Sequence, residues 1–383
     1  MSIYLDNAAT SYPKPESVYA AVDHYQRQIG ASVGRGAYRQ AVEAQRIVDR
    51  CRQSAARLLG AEGPDRIVFT FNGTDGLNLA LMGLCRPGDH VITTMFEHNS
   101  VLRPLNWLQE HRGIELTSIR PNPTGIVTAD SVRSQIRPTT RLIAIQHASN
   151  VTGIVQPIEA ICEVARQASV ISLVDAAQSA GHLPIDVRQF PVDVLVCPGH
   201  KGLLGPLGTG LVYIRPGVEQ GVAPYRLGGT GTNSEDVHQP ESMPERFESG
   251  NHNAPALAGL DASLAWLHEQ TIPKLRQHEA DVTSQLVDQL RSIPAVTVYS
   301  HQPGIPHVGV VSFNITGFTP QEAAAILDES FQIQSRPGLH CAPGAHAFLG
   351  TLPTSGALRF STGPFTTPQD IAQATAGVKE LAG

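Results

Sequence analysis

The spacing of apolar residues changes along the chain in a repeating order. Over 40–59, Ala44, Ile47, Val48, Cys51, Ala55 and Leu58 recur three and four apart, which predicts an amphipathic helix ended by Gly60. Upstream, 1–16 is expected to be extended, with Pro13 and Pro15 as breakers, and Ser17 to cap a helix reaching residue 28. Downstream, short continuous apolar runs at 66–71, 90–94, 142–146, 170–175, 192–197 and 210–214 predict strands. Helical stretches separate them, starting at NGTDGLNLALMGL, at EHNSVLRPLNWLQEH and at 158–167. Repeated strand–helix alternation implies a mostly parallel sheet with helices on both faces.

The pattern then changes. Residues 215–252 are rich in Gly, Thr and Asn and predict a long loop. A helical stretch over 254–290 should lead to a second, smaller α+β unit, with strands near 296–299, 308–314, 333–335 and 357–361 and helices near 321–329 and 369–381. A length of 383 residues with 41% hydrophobic and 16% charged positions supports a large core and two domains. A net charge of −6 without any Lys/Arg-rich run argues against a nucleic-acid binder. No run approaches the roughly 18 apolar residues that cross a membrane, and the first residues have no signal pattern, so a cytoplasmic location is expected.

Candidate chemistry collects where the predicted strands end, which is where ligands sit in such sheets. Those ends carry Asn72-Gly73-Thr74, Glu97-His98-Asn99, Asn150, Asp175 with Gln178, and His200-Lys201. Lys201 follows a buried strand and a Pro-Gly break. An amine there is either a snorkelling surface charge or a desolvated nucleophile able to form a Schiff base with a carbonyl. Gly73-Thr74 opens a helix directly after a strand and suits an anion; an ordinary N-cap by Thr74 or Asn72 is the alternative. Asp175 ends an apolar strand and needs a cationic partner, such as a protonated pyridine nitrogen, unless it caps the next turn.

The five cysteines form no CxxC pair, so neither a disulfide framework nor a structural zinc site is expected. Cys51 and Cys162 fall on apolar helix faces, Cys197 in a strand, and Cys85 before a turn. Cys341 differs. It lies between Gly and Pro in SRPGLHCAPGAH, near Arg336, His340 and His346, and cations there would favour a thiolate. Zinc held by His340, Cys341 and His346 has too few ligands to be expected. Arg359, inside the apolar ALRFST, either grips a carboxylate or faces outward from an edge strand.

Taken in order, YLDNAAT, the strand–GTD–helix, EHN, HASN, VDAAQ, GHK, RFESG, R-x-G-x-H-C and LRFSTGPFTT resemble the fold-type I, class V pyridoxal-phosphate enzymes, and within them the cysteine desulfurases and selenocysteine lyases. The resemblance runs from residues 4–10 to 358–367. It implies a mostly parallel seven-stranded sheet with helices on both faces plus a smaller α+β C-terminal domain. The expected division is 15–260 for the large domain, with 1–14 and 261–383 forming the small one. It also implies roles. Lys201 would hold pyridoxal 5'-phosphate, His98 would stack on its ring, Asp175 would pair with the ring nitrogen and Gln178 with the ring hydroxyl. Gly73, Thr74 and His200 would bind the phosphate. Arg359 would take the substrate carboxylate with Asn150 near it, and Cys341 would take the sulfur. A homodimer with shared sites is implied, the RFESGNHN loop reaching across with Asn251.

Two departures stand out. Pro198 occupies the place of a phosphate-binding Ser or Thr in many relatives, and Gly250-Asn251 replaces Gly-Thr. The phosphate grip is therefore expected to be weaker or differently built. The short segment from Cys341 to Arg359 resembles the branch with a compact cysteine loop. The expected activity is removal of sulfur from L-cysteine to give L-alanine and a persulfide on Cys341, with a sulfur-acceptor protein downstream. The rivals are a cystine or cysteine β-lyase, a selenocysteine lyase and a class V aminotransferase. A nicotinamide-dependent oxidoreductase would need a GxGxxG after the first strand, and none is there. A non-catalytic scaffold would bind no chromophore.

Overall fold

The computed structural model describes residues 2–34, 36–232 and 235–383. Seven strands form the main sheet in the order Ile67–Thr70, Gly210–Ile214, Val194–Pro198, Ile171–Asp175, Thr140–Gln146, His90–Thr94 and Glu115–Ile119. Gly210–Ile214 runs antiparallel to both of its neighbours, and the remaining pairings are parallel. Successive strand residues alternate between two cores. Phe69, Ile143, Val174 and Leu195 face one, with helices Arg39–Leu59 and Ile158–Gln167. Val68, Leu142, Leu173 and Val194 face the other, with helices Gly73–Leu84 and Asn99–Arg112. Burial on both faces explains why these strands read as unbroken apolar runs.

The sheet has one strand that the apolar pattern does not reveal. Glu115–Ile119 lies at the edge, and only Ile119 in it is buried. The 254–290 stretch is two helices, Ala254–Gln270 and Ile272–Arg291, broken at Thr271, whose φ is +64°. Pro273 in the first turn of the second helix fits that break. The first helix starts at Glu16 after Pro15, without a side-chain cap, so Ser17 does not cap it.

A separate body follows. Its antiparallel sheet has the order Arg336–Gly338, Ala357–Ser361, Val310–Ile315, Val296–Val298. Helices Ile272–Arg291, Pro320–Phe331 and Pro368–Ala382 cover it with Leu286, Leu327 and Val378. Ile3 and Leu5 belong to this core, because Ile3–Tyr4 pairs in parallel with Ile333–Gln334. No helix among the described residues is long and apolar enough to cross a membrane.

Candidate active site

The strand Val194–Pro198 delivers Lys201 into a cavity at the carboxyl edge of the main sheet. The turn that does so is built on close approach. A Cβ on Gly199 would run into Thr209, and one on Gly202 into the Ala180 carbonyl and the His182 ring. The Gly205 N–H closes the loop on Gly199 O (2.7 Å). The N-terminal segment fastens it from outside, as Ser11 N–H and Thr10 Oγ1 donate to His200 O at 3.0 and 3.1 Å. Burial pushes the Lys201 amine down to about 8, against the opposing pull of Asp175. Lys201 lines this cavity with Asp175, which is the placement of a desolvated amine rather than of a snorkelling surface charge.

Gly73, Thr74, His98, Asn150, Asp175, Gln178, His200 and Lys201 all line this one cavity. At one end, Asn72 caps helix Gly73–Leu84 by accepting from Asp75 N–H (2.9 Å). The N–H groups of Gly73 and Thr74 precede the first intrahelical bond and keep their anion-binding capacity. Thr74 Oγ1 meets Ser100 Oγ at 2.7 Å, so the starts of two helices converge there. Pro198 lies 3.3 Å from where a Cβ on Gly73 would be, so the proline ring packs on the glycine that a side chain would displace. His98 Nδ1 accepts from Ser100 N–H (3.0 Å), which leaves the proton on Nε2. Burial, together with the Lys201 charge, pushes His98 down to about 4, so its ring is neutral.

On the cavity floor, Asp175 is buried and only partly satisfied by protein. Its Oδ1 accepts from Ala177 N–H (2.9 Å), so it does shape the next turn. Burial raises its pKa, opposed by that bond and by Lys201. Gln178 Nε2 donates to Ala8 O (3.0 Å). Behind this floor, Glu97 accepts from Thr94 Oγ1 (2.6 Å), while burial and then the Asp175 charge push it up to about 8.

Across the cavity, Asn150 joins two further groups. Its Nδ2 donates to His340 O (2.5 Å), and its carbonyl accepts from Arg359 Nη1 (3.1 Å). The Asn99 N–H, next to His98, binds Cys341 O (2.7 Å). The Cys341 turn is thus tied to the cavity wall, while Cys51, Cys85, Cys162 and Cys197 are buried. His340 and His346 are not the cations expected beside the thiol: burial, and then Arg359, push them down to about 2 and about 4. Among the described residues, no group of three His, Cys, Asp or Glu side chains is placed to hold a metal ion. Arg359 faces inward at 1% exposure from a central strand, and Asp6 Oδ1 already accepts from its Nη2 (2.7 Å). The edge-strand alternative is therefore excluded, and the carboxylate now on Arg359 belongs to the chain itself.

Asn251 does not join the others. It lines a separate groove with Arg52, Glu248 and His252. The sequence reading missed Asp6, Ser100 and Gln146 as members of the site. Asp6 sits in YLDNAAT and Ser100 directly follows EHN, but no periodicity marks them.

The profile of the aminotransferase class-V family matches residues 3–373. A probable cysteine desulfurase of Methanothermobacter thermautotrophicus is 36% identical over the whole chain and 95% of the relative. One from Pyrococcus abyssi is 35% identical over 89% of this chain and 85% of the relative. The apo structure of a cysteine desulfurase from Thermococcus onnurineus NA1 superposes with a TM-score of 0.93 at 33% identity, covering 100% of this chain and 94% of that one. The Escherichia coli cysteine desulfurase CsdA, in an S-sulfonic acid form, gives 0.89 at 27% identity over 99% and 94%. With a family match from residue 3 to residue 373, the chain belongs to the aminotransferase class-V family.

Proposed function

We propose that this protein is a pyridoxal-phosphate-dependent cysteine desulfurase, converting L-cysteine to L-alanine with a persulfide on Cys341. The observation that carries the reading is the fastening of the Cys341 turn, by Asn99 and Asn150, onto the wall of the cavity that holds Lys201. A lyase or an aminotransferase has no use for a thiol held there. The desulfurase names of full-length relatives support the same activity.

The residues fit the cofactor. The start of helix Gly73–Leu84 with Thr74 takes the phosphate, joined by His200, which has an unpartnered buried Nδ1. Asp175 offers a carboxylate to a ring nitrogen, Gln178 lies beside it, and neutral His98 offers a ring face. When bound, pyridoxal phosphate supplies a carbonyl for the amine and an electron-withdrawing ring that stabilises negative charge at the substrate Cα. Arg359, whose Nε has no partner among the described residues while Asp6 takes Nη2, holds the substrate carboxylate, with Asn150 beside it. An amine held near 8 is free in about a tenth of molecules at neutral pH, enough for Lys201 to take and return the Cα proton. The Cys341 thiolate attacks the substrate sulfur. An S–S bond forms, the Cβ–S bond breaks, and its electron pair stays on the carbon that leaves as alanine after protonation. Without a hydroxyl at Pro198, phosphate binding rests on the backbone, on Thr74 and on His200.

The same reading includes a homodimer, a cytoplasmic location, a sulfur-acceptor protein, and the division into 15–260 and 1–14 with 261–383. Asn251 lies outside its own chain's cavity, which suits a group delivered to a second copy. The test is incubation of the purified holoenzyme with L-cysteine. Alanine with a persulfide on Cys341 is expected; pyruvate and ammonia would instead mean elimination and would remove Cys341 from the mechanism.

A further inference from the structure

The turn that presents Cys341 is held in a conformation that L-residues avoid. His340 and Cys341 both have positive φ, at +49° and +57°. Bonds from Asn150 and Asn99 hold the two carbonyls, and Ala342 N–H closes the turn on Leu339 O (2.9 Å). One further anchor is a side chain, with His340 Nε2 3.0 Å from the Arg336 carbonyl. A carbonyl only accepts, so that nitrogen carries the proton, and Nδ1 of the neutral ring is an acceptor. It lies 3.2 Å from His346 Nε2, which must donate. His346 Nδ1 then accepts, and the Thr351 hydroxyl supplies it at 2.8 Å. Every bond in the chain from Thr351 through His346 and His340 to Arg336 has one direction.

We propose that His346 is a positioning residue for the Cys341 thiol: by donating to His340 it holds the left-handed turn in which the thiol is presented. This inference rests on Cys341 being the sulfur acceptor.

His346 is fully buried and does not line the Lys201 cavity, so the chemistry itself makes no use of its imidazole. Packing alone would be served by an apolar side chain. An imidazole at this place supplies a donor on one nitrogen and an acceptor on the other, which is what the chain of bonds needs. The charges facing the pair are Arg359 and Arg336, and both oppose protonation. A proton added to His340 Nδ1 would set N–H against N–H and break the link. Burial and these guanidiniums keep the chain intact at neutral pH.

The test compares His346→Leu, which removes both hydrogen-bonding atoms, with His346→Gln, which keeps a donor and an acceptor. In the holoenzyme, His346→Leu should lower kcat for alanine formation by roughly ten- to a hundredfold with KM for L-cysteine unchanged, since Arg359 and Lys201 are untouched. His346→Gln should recover kcat to within about threefold of wild type. A kcat within twofold of wild type in His346→Leu, a parallel rise in KM, or failure of His346→Gln to rescue would overturn the proposal. Where His346→Leu does not fold, Thr351→Val removes only the terminal donor and should give a milder fall, about threefold, again in kcat alone. Failure of the functional reading shows separately, as wild-type turnover without a persulfide on Cys341. Iodoacetamide labelling of Cys341 then still judges the turn. Its rate should rise about fivefold in His346→Leu and return in His346→Gln, and equal rates in all three proteins would refute the positioning role.

Discussion

Lys201 and Cys341 divide the proposed reaction between a proton-moving amine and a sulfur-accepting thiol, and single substitutions should separate them. Lys201→Ala is expected to lose turnover by at least about 10³-fold and to lose the cofactor's visible absorbance. Cys341→Ser should keep that absorbance and form no persulfide, as read by mass spectrometry of the intact protein. The amine also sets a pH dependence. Burial holds it at about 8, and only its neutral form attacks a carbonyl. Capture of added pyridoxal phosphate by cofactor-free protein should therefore quicken as pH rises towards about 8 and level off above it. His98, held at about 4, should add no second inflection near neutrality.

Elements carry these residues, and glycine contacts set their precision. Gly202→Ala would drive a Cβ into the Ala180 carbonyl, which is backbone and cannot swing aside. The variant should lose about 2 kcal/mol of stability, seen as a lower thermal midpoint, and displace Lys201. The loop that contains Asn251 is held by a different device. Glu248 takes two bonds from Arg52, at 2.6 and 2.8 Å, and one from Phe69 N–H, at 2.6 Å. Burial alone would raise its pKa, but Arg52 and His252 overcome this and hold it at about 2. A depressed carboxylate stabilises the fold above its ordinary 4.5, and that contribution is lost as pH falls towards about 2. Glu248→Gln should cost about 3–5 kcal/mol at neutral pH, because it strands a buried guanidinium. It should also flatten the acid limb of the stability curve between those two values.

The central strands were legible because both of their faces are covered, so every residue from Val194 to Cys197 is apolar or small. The edge strand Glu115–Ile119 was not, because water on its exposed side admits Glu, Thr and Ser. Lys201, Asp175 and Cys341 stood out because each breaks a local rule: a charge at the end of a core strand, or a thiol outside any periodicity. Asp6 and Glu248 stayed hidden because their partners, Arg359 and Arg52, are far away in the chain, and nothing local announces a long-range ion pair.

At the scale of the molecule, His182 and Glu279 link the main sheet's turn to the second body. His182 Nδ1 lies 2.7 Å from Glu279, which also accepts from Gly309 N–H (2.6 Å). Burial would lower the His182 pKa, but Glu279 overrides it and the net shift is upward. A raised histidine contributes fully below its ordinary 6.5, and the contribution is lost as pH rises through the shifted value. Thermal melting should show the wild type losing stability as pH rises above that ordinary 6.5, and Glu279→Gln should lack that slope.

The pairing of Ile3–Tyr4 with Ile333–Gln334 closes a loop of 330 positions, counted from Ile3 to Ile333. It also brings Asp6 to Arg359, Ala8 to Gln178, and Thr10 and Ser11 to the carbonyl before Lys201. On a ribosome adding 5–20 residues per second, the N-terminal segment waits roughly 15–65 s for its partner strand to be made. The large sheet can condense in that interval, and Gln178 and His200 are already there for Ala8, Thr10 and Ser11, but Ile3–Tyr4 still lacks its partner strand and Asp6 its arginine. A nascent chain therefore carries Lys201 long before Cys341 and Arg359 are there to join it.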